Sequence, residues 1–137
     1  MKKITMSAKI ENIGVITGEL DAWFEENNVP RKVMLEMDVA LDEILSNIAF
    51  YAYGDGTGDM TVEASMKDDG KTLRLVFSDN GIPFDPLKKE DPDITISAEE
   101  RKIGGLGIFM VKKTMDHMSY ERKGDSNILV IEKILER

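Results

Sequence analysis

The sequence predicts an α+β domain in which helices cover one face of a largely antiparallel sheet, as in a two-layer α/β sandwich. The length of 137 residues and the apolar share of 42% suit a single domain, residues 1–137, with one core. Apolar residues recur at helical spacing in some segments and alternate with polar residues in others. The resulting order is strand, helix, helix, hairpin, long loop, helix and hairpin, which is typical of that architecture.

The first half of the chain contains a short strand and two predicted helices. Loose alternation over residues 4–10 indicates the strand, and Asn12 is placed to cap a helix over residues 13–26. Pro30 suits the first turn of the second helix, where its missing N–H is not needed. Gly54-Asp55-Gly56 ends that helix. Its apolar positions follow i+3/i+4 spacing and are Val33, Met37, Ala40, Ile44, Ile48 and Tyr51.

The second half contains two predicted hairpins separated by a long loop. Alternation over residues 60–66 and 73–77, around the turn at residues 68–71, predicts the first hairpin. Residues 81–103 hold three of the four prolines and no apolar period, so we expect a functional or mobile loop there. The rest of the pattern predicts a helix with Ile108, Val111, Met115 and Met118 on one face, then strands near residues 118–122 and 128–133.

Composition and charge exclude several classes of protein. The formal net charge is −8, whereas a nucleic-acid binder needs clustered Lys and Arg, so we expect no nucleic-acid partner. Cysteine is absent, which excludes disulfides and thiolate metal sites. The first residues carry two lysines with no apolar run behind them, unlike a signal peptide, and no stretch is apolar enough to span a membrane. We therefore expect a cytoplasmic protein without a membrane partner.

Glu43 and Asn47 form the first pattern with chemical potential. They are four residues apart on the strongest predicted helix, so they lie one above the other on the same face. A carboxylate beside a carboxamide can hold a water or a hydroxyl group and can ligate Mg²⁺, which prefers oxygen ligands and shares its shell with phosphates. The alternative is an ordinary solvated helix edge, and this pair alone does not separate the two.

Asp79-Asn80-Gly81 forms the second pattern, directly after a predicted strand. The carboxylate of Asp79 accepts hydrogen bonds, and the adenine amino group donates them. Gly81 lets the backbone approach a flat ring closely. The alternative is an ordinary turn, since this tripeptide is strong turn chemistry.

Gly104-Gly105-Leu106-Gly107 forms the third pattern, at the start of the last predicted helix. Glycines before a helix N-terminus expose backbone N–H groups and the positive end of the helix dipole to an anion such as a phosphate. The alternative is a flexible hinge. A short glycine cluster is a weak signal by itself.

The order of the three patterns carries more information than any one of them. The residues that do so lie at 42–47, 78–86 and 99–111. These stretches resemble the ATPase domain shared by gyrase, histidine kinases and MutL, and more narrowly the anti-sigma-factor serine/threonine protein kinases of bacteria. The resemblance covers nearly the whole chain. It implies a Bergerat-type ATP-binding fold with a mostly antiparallel mixed sheet, and ATP and Mg²⁺ as ligands. One departure is Tyr51, where many relatives carry histidine.

The resemblance also implies individual roles. A lid over ATP would span about residues 85–103. The implied site residues are the general base Glu43, the magnesium ligand Asn47, the adenine-binding Asp79 and Gly81, the phosphate-binding Gly104, Gly105, Leu106 and Gly107, and Arg101, which would reach a phosphate from the lid.

Two main hypotheses for function follow from the resemblance. In the first, the protein is a kinase that phosphorylates a serine of a small antagonist (anti-anti-sigma) protein and sequesters a sigma factor or similar regulator. In the second, ATP orders the lid, which then presents a binding surface without phosphoryl transfer. A slow ATPase switch is a third, weaker reading. The resemblance further implies a homodimer.

Overall fold

Five strands form one antiparallel sheet, and three α-helices contribute to a core on one of its faces. The computed structural model describes residues 1–88 and 105–135. The elements are β1 (Lys2–Ser7), α1 (Ile10–Glu26), α2 (Arg31–Asn47), a π-helix (Ile48–Ala52), β2 (Asp59–Met66), β3 (Thr72–Asp79), a 3-10 turn (Pro86–Lys88), α3 (Gly105–Thr114), β4 (His117–Lys123) and β5 (Ser126–Ile134). The predicted α+β class with a largely antiparallel sheet is confirmed.

The sheet has the order β1-β2-β3-β5-β4, and all four of its described pairings are antiparallel. Alternate side chains of the middle strands face the core, because successive side chains of a strand point to opposite faces of the sheet. Cross-strand register therefore places apolar side chains side by side, with Val62 opposite Phe77 and Phe77 opposite Leu129. The same register places two polar residues, Asp79 and Asn127, at the end of the core-facing row.

Helix α1 starts earlier than the sequence predicts. It begins at Ile10, with the extended residue Lys9 before it, so the strand predicted to reach residue 10 ends at Ser7. The predicted cap by Asn12 is wrong, because its side-chain amide donates to the backbone oxygen of Ser7 at 2.9 Å from inside the helix. The amide thus ties the first turn of α1 back to the end of β1.

Helix α2 confirms the predicted apolar stripe except at its end. Val33, Met37, Ala40 and Ile44 are buried in the core. From Ile48 the chain continues as a π-helix, so Tyr51 does not follow the 3.6-residue period and is 53% exposed. Such single-turn π segments occur often beside functional sites.

Helix α3 begins at Gly105, within the predicted glycine turn, and ends at Thr114. Ile108, Val111 and Met115 are buried, as predicted. Met118 is not part of this helix but lies in β4, because the chain leaves the helix before His117. Within the parts of the chain that the structure describes, no helix combines the length and apolarity needed to cross a membrane.

Candidate functional site

A pocket of about 480 Å³, including the open space at its mouth, lies between α2, the π-helix, the ends of β3 and β5, and α3. The lining is mostly apolar with a few polar groups, which is typical of small-molecule sites. Its lining residues are Ile44, Asn47, Ile48, Tyr51, Ala52, Phe77, Asp79, Ile82, Phe84, Pro86, Ile108, Tyr120, Asn127 and Leu129.

Asp79 lies at the last position of β3 and contributes a carboxylate to this pocket. Its Oδ1 accepts hydrogen bonds from the backbone N–H of Gly81 at 2.9 Å and from Nδ2 of Asn127 at 2.9 Å. Both hydrogen bonds that the described residues give this carboxylate fall on Oδ1. The other oxygen, Oδ2, therefore remains the acceptor for a ligand.

Gly81 is buried behind Asp79 rather than in the pocket lining. A methyl group on its Cα would overlap the backbone carbonyl and side chain of Ala52. The neighbouring N–H of Ile82 donates to that same carbonyl oxygen at 2.8 Å. The glycine is thus required for the segment after β3 to pack against the end of the π-helix.

Tyr53 holds the same turn from the other side. Its hydroxyl donates to the backbone oxygen of Asp59 and accepts from the N–H of Asn80 at 3.0 Å. Burial is the largest cause that raises the pKa of Tyr53, and the nearby carboxylates of Asp79 and Asp59 raise it further. The neutral hydroxyl that these bonds require is therefore favoured.

Asn47 lines the pocket from the last residue of α2. Its side-chain Nδ2 is buried, and no described residue or backbone group pairs with it. Buried polar atoms normally have hydrogen-bond partners, because leaving one unpaired costs about 1–3 kcal/mol. An unpaired amide nitrogen beside a pocket can gain its hydrogen-bond partner when a ligand binds.

Glu43 lies one turn before Asn47, outside the pocket lining, and contacts the first turn of α3. A methyl group on Gly107 would overlap Cδ and both carboxylate oxygens of Glu43. The residues that follow these two on their helices, Ile44 and Ile108, both line the pocket. The carboxylate therefore lies next to the pocket and to the N-terminal turn of α3, whose first N–H groups have no partner within the helix.

The remaining predicted site residues are placed only in part. Gly105 and Leu106 form the backbone of the first turn of α3, beside Gly107. Arg101 and Gly104 lie outside the described residues, as does most of the proposed lid over residues 85–103. At its start Pro86 lines the pocket, as does Phe84, which directly precedes the lid.

Sequence reasoning missed Asn127, Tyr120 and the apolar wall of Ile82 and Phe84, all of which line the pocket. Asn127 looked like part of the turn that joins the last two strands. A signal was nevertheless present, because Asn127, Leu129 and Ile131 share one face of a strand by the two-residue period. An amide in register with two core positions indicates a buried polar contact.

Comparisons with known proteins identify the family of this chain. The model of the family described as "Histidine kinase-like ATPase domain" matches residues 6–133. The chain is 32% identical over 100 residues to the serine-protein kinase RsbW of Listeria monocytogenes, covering 69% of this chain and 62% of the relative. It is 27% identical over 139 residues to RsbW of Bacillus mycoides, covering 97% and 86%, and 24% identical over 100 residues to the serine/threonine-protein kinase BtrW of Bordetella bronchiseptica, covering 73% and 70%.

A solved structure shows the same fold. The RsbU and RsbW domains of a Mycobacterium tuberculosis protein match with a TM-score of 0.66 at 14% identity, over 100% of this chain and 33% of that one. The chain thus spans about a third of that larger protein. Because the family model matches nearly the whole chain, this protein belongs to the histidine kinase-like ATPase domain family.

Proposed function

We propose that this protein is an ATP-dependent serine/threonine protein kinase of the anti-sigma-factor type. It phosphorylates a serine of a small antagonist protein and also binds a sigma factor or similar regulator. The names of the relatives support the kinase class. The observation that carries the proposal is the contact between the Glu43 carboxylate and the N-terminal turn of α3 at Gly107. It supports the proposal because helix N-termini favour phosphate groups, so a phosphate bound there would lie near the acid.

The described residues fit a nucleotide with its metal. Asp79 supplies an acceptor for the amino group of adenine, and the apolar walls suit the ring. The first turn of α3, with Gly105, Leu106 and Gly107, would supply N–H groups for phosphates. Gly104, which lies outside the described residues, is proposed as part of the same binding turn on the resemblance alone. Asn47 would hold Mg²⁺ through its amide oxygen, together with phosphate oxygens. Its unpaired Nδ2 would donate a hydrogen bond to an acceptor of the bound nucleotide. When bound, magnesium neutralises negative charge on the phosphates.

The proposed chemical step is a direct transfer. The serine oxygen of the antagonist forms a bond to the γ-phosphorus, while the bond from that phosphorus to the β,γ-bridging oxygen breaks. The electron pair leaves with ADP, and the hydroxyl proton passes to Glu43. Most of the acceleration comes from positioning and electrostatics, and a general base typically adds about 10²–10⁴-fold.

The test must distinguish loss of the proton acceptor from loss of ATP binding. The purified protein is incubated with γ-labelled ATP, Mg²⁺ and a lysate of its own organism, and the labelled protein is identified by mass spectrometry of its phosphoserine. We expect one small labelled protein with the wild type and none with Glu43→Gln. Glu43→Gln keeps the size of the side chain, so calorimetry should show ATP affinity within a few-fold of wild type.

The outcomes separate the two hypotheses. Transfer by Glu43→Gln at the wild-type rate would remove Glu43 as the base. ATP binding without transfer to any protein would instead favour the ATP-gated binding module. We further propose a cytoplasmic homodimer, as the resemblance implies, and a monomer mass by light scattering at micromolar concentration would contradict the dimer.

A further inference from the structure

Asn127, at the start of β5, uses the full hydrogen-bonding capacity of its buried side chain. The residue is only 6% exposed. Its Nδ2 donates to Oδ1 of Asp79 at 2.9 Å and to the backbone oxygen of Ile82 at 2.8 Å. Its Oδ1 accepts from the backbone N–H of Phe84 at 3.2 Å and from the hydroxyl of Tyr120. A carboxamide has two donors and two acceptor positions, and all four are occupied here.

The groups that Asn127 joins all belong to the pocket. Asp79, Ile82, Phe84 and Tyr120 line it, as does Asn127 itself. They come from the end of β3, from the segment after it and from β4. One side chain therefore connects the carboxylate to the wall formed by the segment that leads toward the 3-10 turn at Pro86–Lys88.

The hydrogen bond to Asp79 has a directional consequence. Oδ1 receives both Nδ2 of Asn127 and the N–H of Gly81, so rotation of the carboxylate about its last bond would break two hydrogen bonds. The carboxylate is thereby held with Oδ2 as the acceptor for a ligand. Hydrogen bonds to a charged group are stronger than neutral ones, so this orientation is well defined.

We propose that Asn127 is a positioning residue for base selectivity. It fixes Asp79 and the Ile82–Phe84 wall so that the pocket accepts a base with an exocyclic amino donor and rejects one with a carbonyl oxygen there. Adenine has the amino group, and guanine has the oxygen. The inference rests on the proposed function, in that the pocket holds the base of ATP. A fixed acceptor that faces another acceptor is left unpaired, which is how polar sites reject the wrong ligand.

A merely structural role for Asn127 predicts a different result. If Asn127 only held β5 against the turn after β3, its loss would lower the affinity for all nucleotides equally. The readout is therefore the ratio of the affinities for Mg-ATP and Mg-GTP, measured by calorimetry. We expect the wild type to favour ATP, and Asn127→Ala to reduce this ratio by about 10-fold or more, the value of one charged hydrogen bond.

Ser126→Ala is the matched control. Its hydroxyl donates to Oδ1 of Asn80 at 2.7 Å, so it also ties the start of β5 to the turn after β3. Among the described residues, however, the hydrogen bonds to Asp79 come from Gly81 and Asn127, and Ser126 is not part of the pocket lining. We expect its ratio to equal that of the wild type. Tyr120→Phe removes a single hydrogen bond from Asn127 and keeps the ring. It is the substitute variant if Asn127→Ala does not fold, and its affinity ratio should fall by a few-fold.

A double-mutant cycle tests whether Asn127 acts through Asp79. In the Asp79→Asn background, Asn127→Ala should change the ratio little further. Three results would each overturn the inference. They are an unchanged affinity ratio in folded Asn127→Ala, equal affinities of the wild type for Mg-ATP and Mg-GTP, and full additivity in the cycle. If the wild type binds neither nucleotide, the proposed function fails first, and that result is distinct from binding without selectivity.

Discussion

Gly107, in the first turn of α3, packs against the carboxylate of Glu43 on α2 so closely that only a hydrogen atom fits on its Cα. The contact joins α2 to the N-terminal turn of α3. A side chain at position 107 would therefore move Glu43 rather than fill empty space. Because the carboxylate is the far end of a flexible side chain, it can move without unfolding the protein.

We expect Gly107→Ala to fold and to bind ATP, yet to transfer phosphate about 10²-fold more slowly, since a displacement of about 1 Å can cost that much. The measurement is the single-turnover rate with the partner identified by labelling. Gly18→Ala is the control, because Gly18 lies in α1 with open space around its Cα. A normal rate in Gly107→Ala would show that the position of Glu43 does not matter.

Gly81→Ala should behave differently from Gly107→Ala. The added methyl group would meet the backbone carbonyl of Ala52, which is held by the N–H of Ile82 and cannot rotate away. Overpacking against backbone costs about 1–3 kcal/mol, so we expect a loss of that size in the free energy of unfolding by urea. The same control, Gly18→Ala, should gain about 0.5–1 kcal/mol by replacing an exposed helical glycine. Equal midpoints for Gly81→Ala and wild type would contradict the packing described.

A pair of carboxylates between α1 and α2 should make stability depend on pH. The pKa of Asp38 is raised from 3.8 to about 7, chiefly by burial and also by the hydrogen bond with Asp21 and the charge of that carboxylate. One oxygen of each carboxylate is buried without a partner among the described residues. The folded protein thus holds a proton that the unfolded chain releases near pH 4. Stability from the protonated pair is present below pH 3.8 and is lost as the pH rises to about 7.

The variant Asp38→Asn removes this loss. We expect its melting temperature to exceed that of the wild type at pH 8, and the difference to shrink as the pH falls toward 4. Glu25→Gln removes one exposed negative charge from α1 and controls for the net charge of −8. A difference of the same size at every pH would argue against a shared proton.

Local patterns in the sequence predict most of the fold. The stripe through Val33, Met37 and Ala40 predicts α2 because burial of one helix face dominates its energetics. The start of α1 was not predictable from Asn12, because its amide bonds to Ser7 instead of capping the helix. That choice depends on where β1 ends, which is a tertiary contact.

The site is predictable only where a residue type is chemically unusual. Glu43, Asn47 and Asp79 stood out by spacing and position, and the structure places Asn47 and Asp79 in one pocket with Glu43 beside it. Asn127 could not be singled out, because its function depends on cross-strand register with Asp79, 48 residues away. A register of this kind is set by the whole sheet and leaves little trace in a local window.

The last prediction concerns Asn47, whose buried side-chain Nδ2 has no hydrogen-bond partner among the described residues. Removing it in Asn47→Ala abolishes an unpaired polar group as well as some packing, so we expect the melting temperature without nucleotide to stay near the wild-type value or rise. In the presence of nucleotide, by contrast, we expect Asn47→Ala to be impaired. If Asn47 holds the metal, wild-type affinity for ATP should drop when EDTA replaces Mg²⁺, and Asn47→Ala should show little of this difference. Glu43→Ala, one turn away on the same helix, should keep the dependence of ATP affinity on Mg²⁺. The reason is that the Glu43 carboxylate acts mainly in the transition state. Calorimetric titrations of the three proteins with and without Mg²⁺ make the comparison. A full magnesium effect in Asn47→Ala would exclude Asn47 as the ligand, whatever its effect on phosphate transfer.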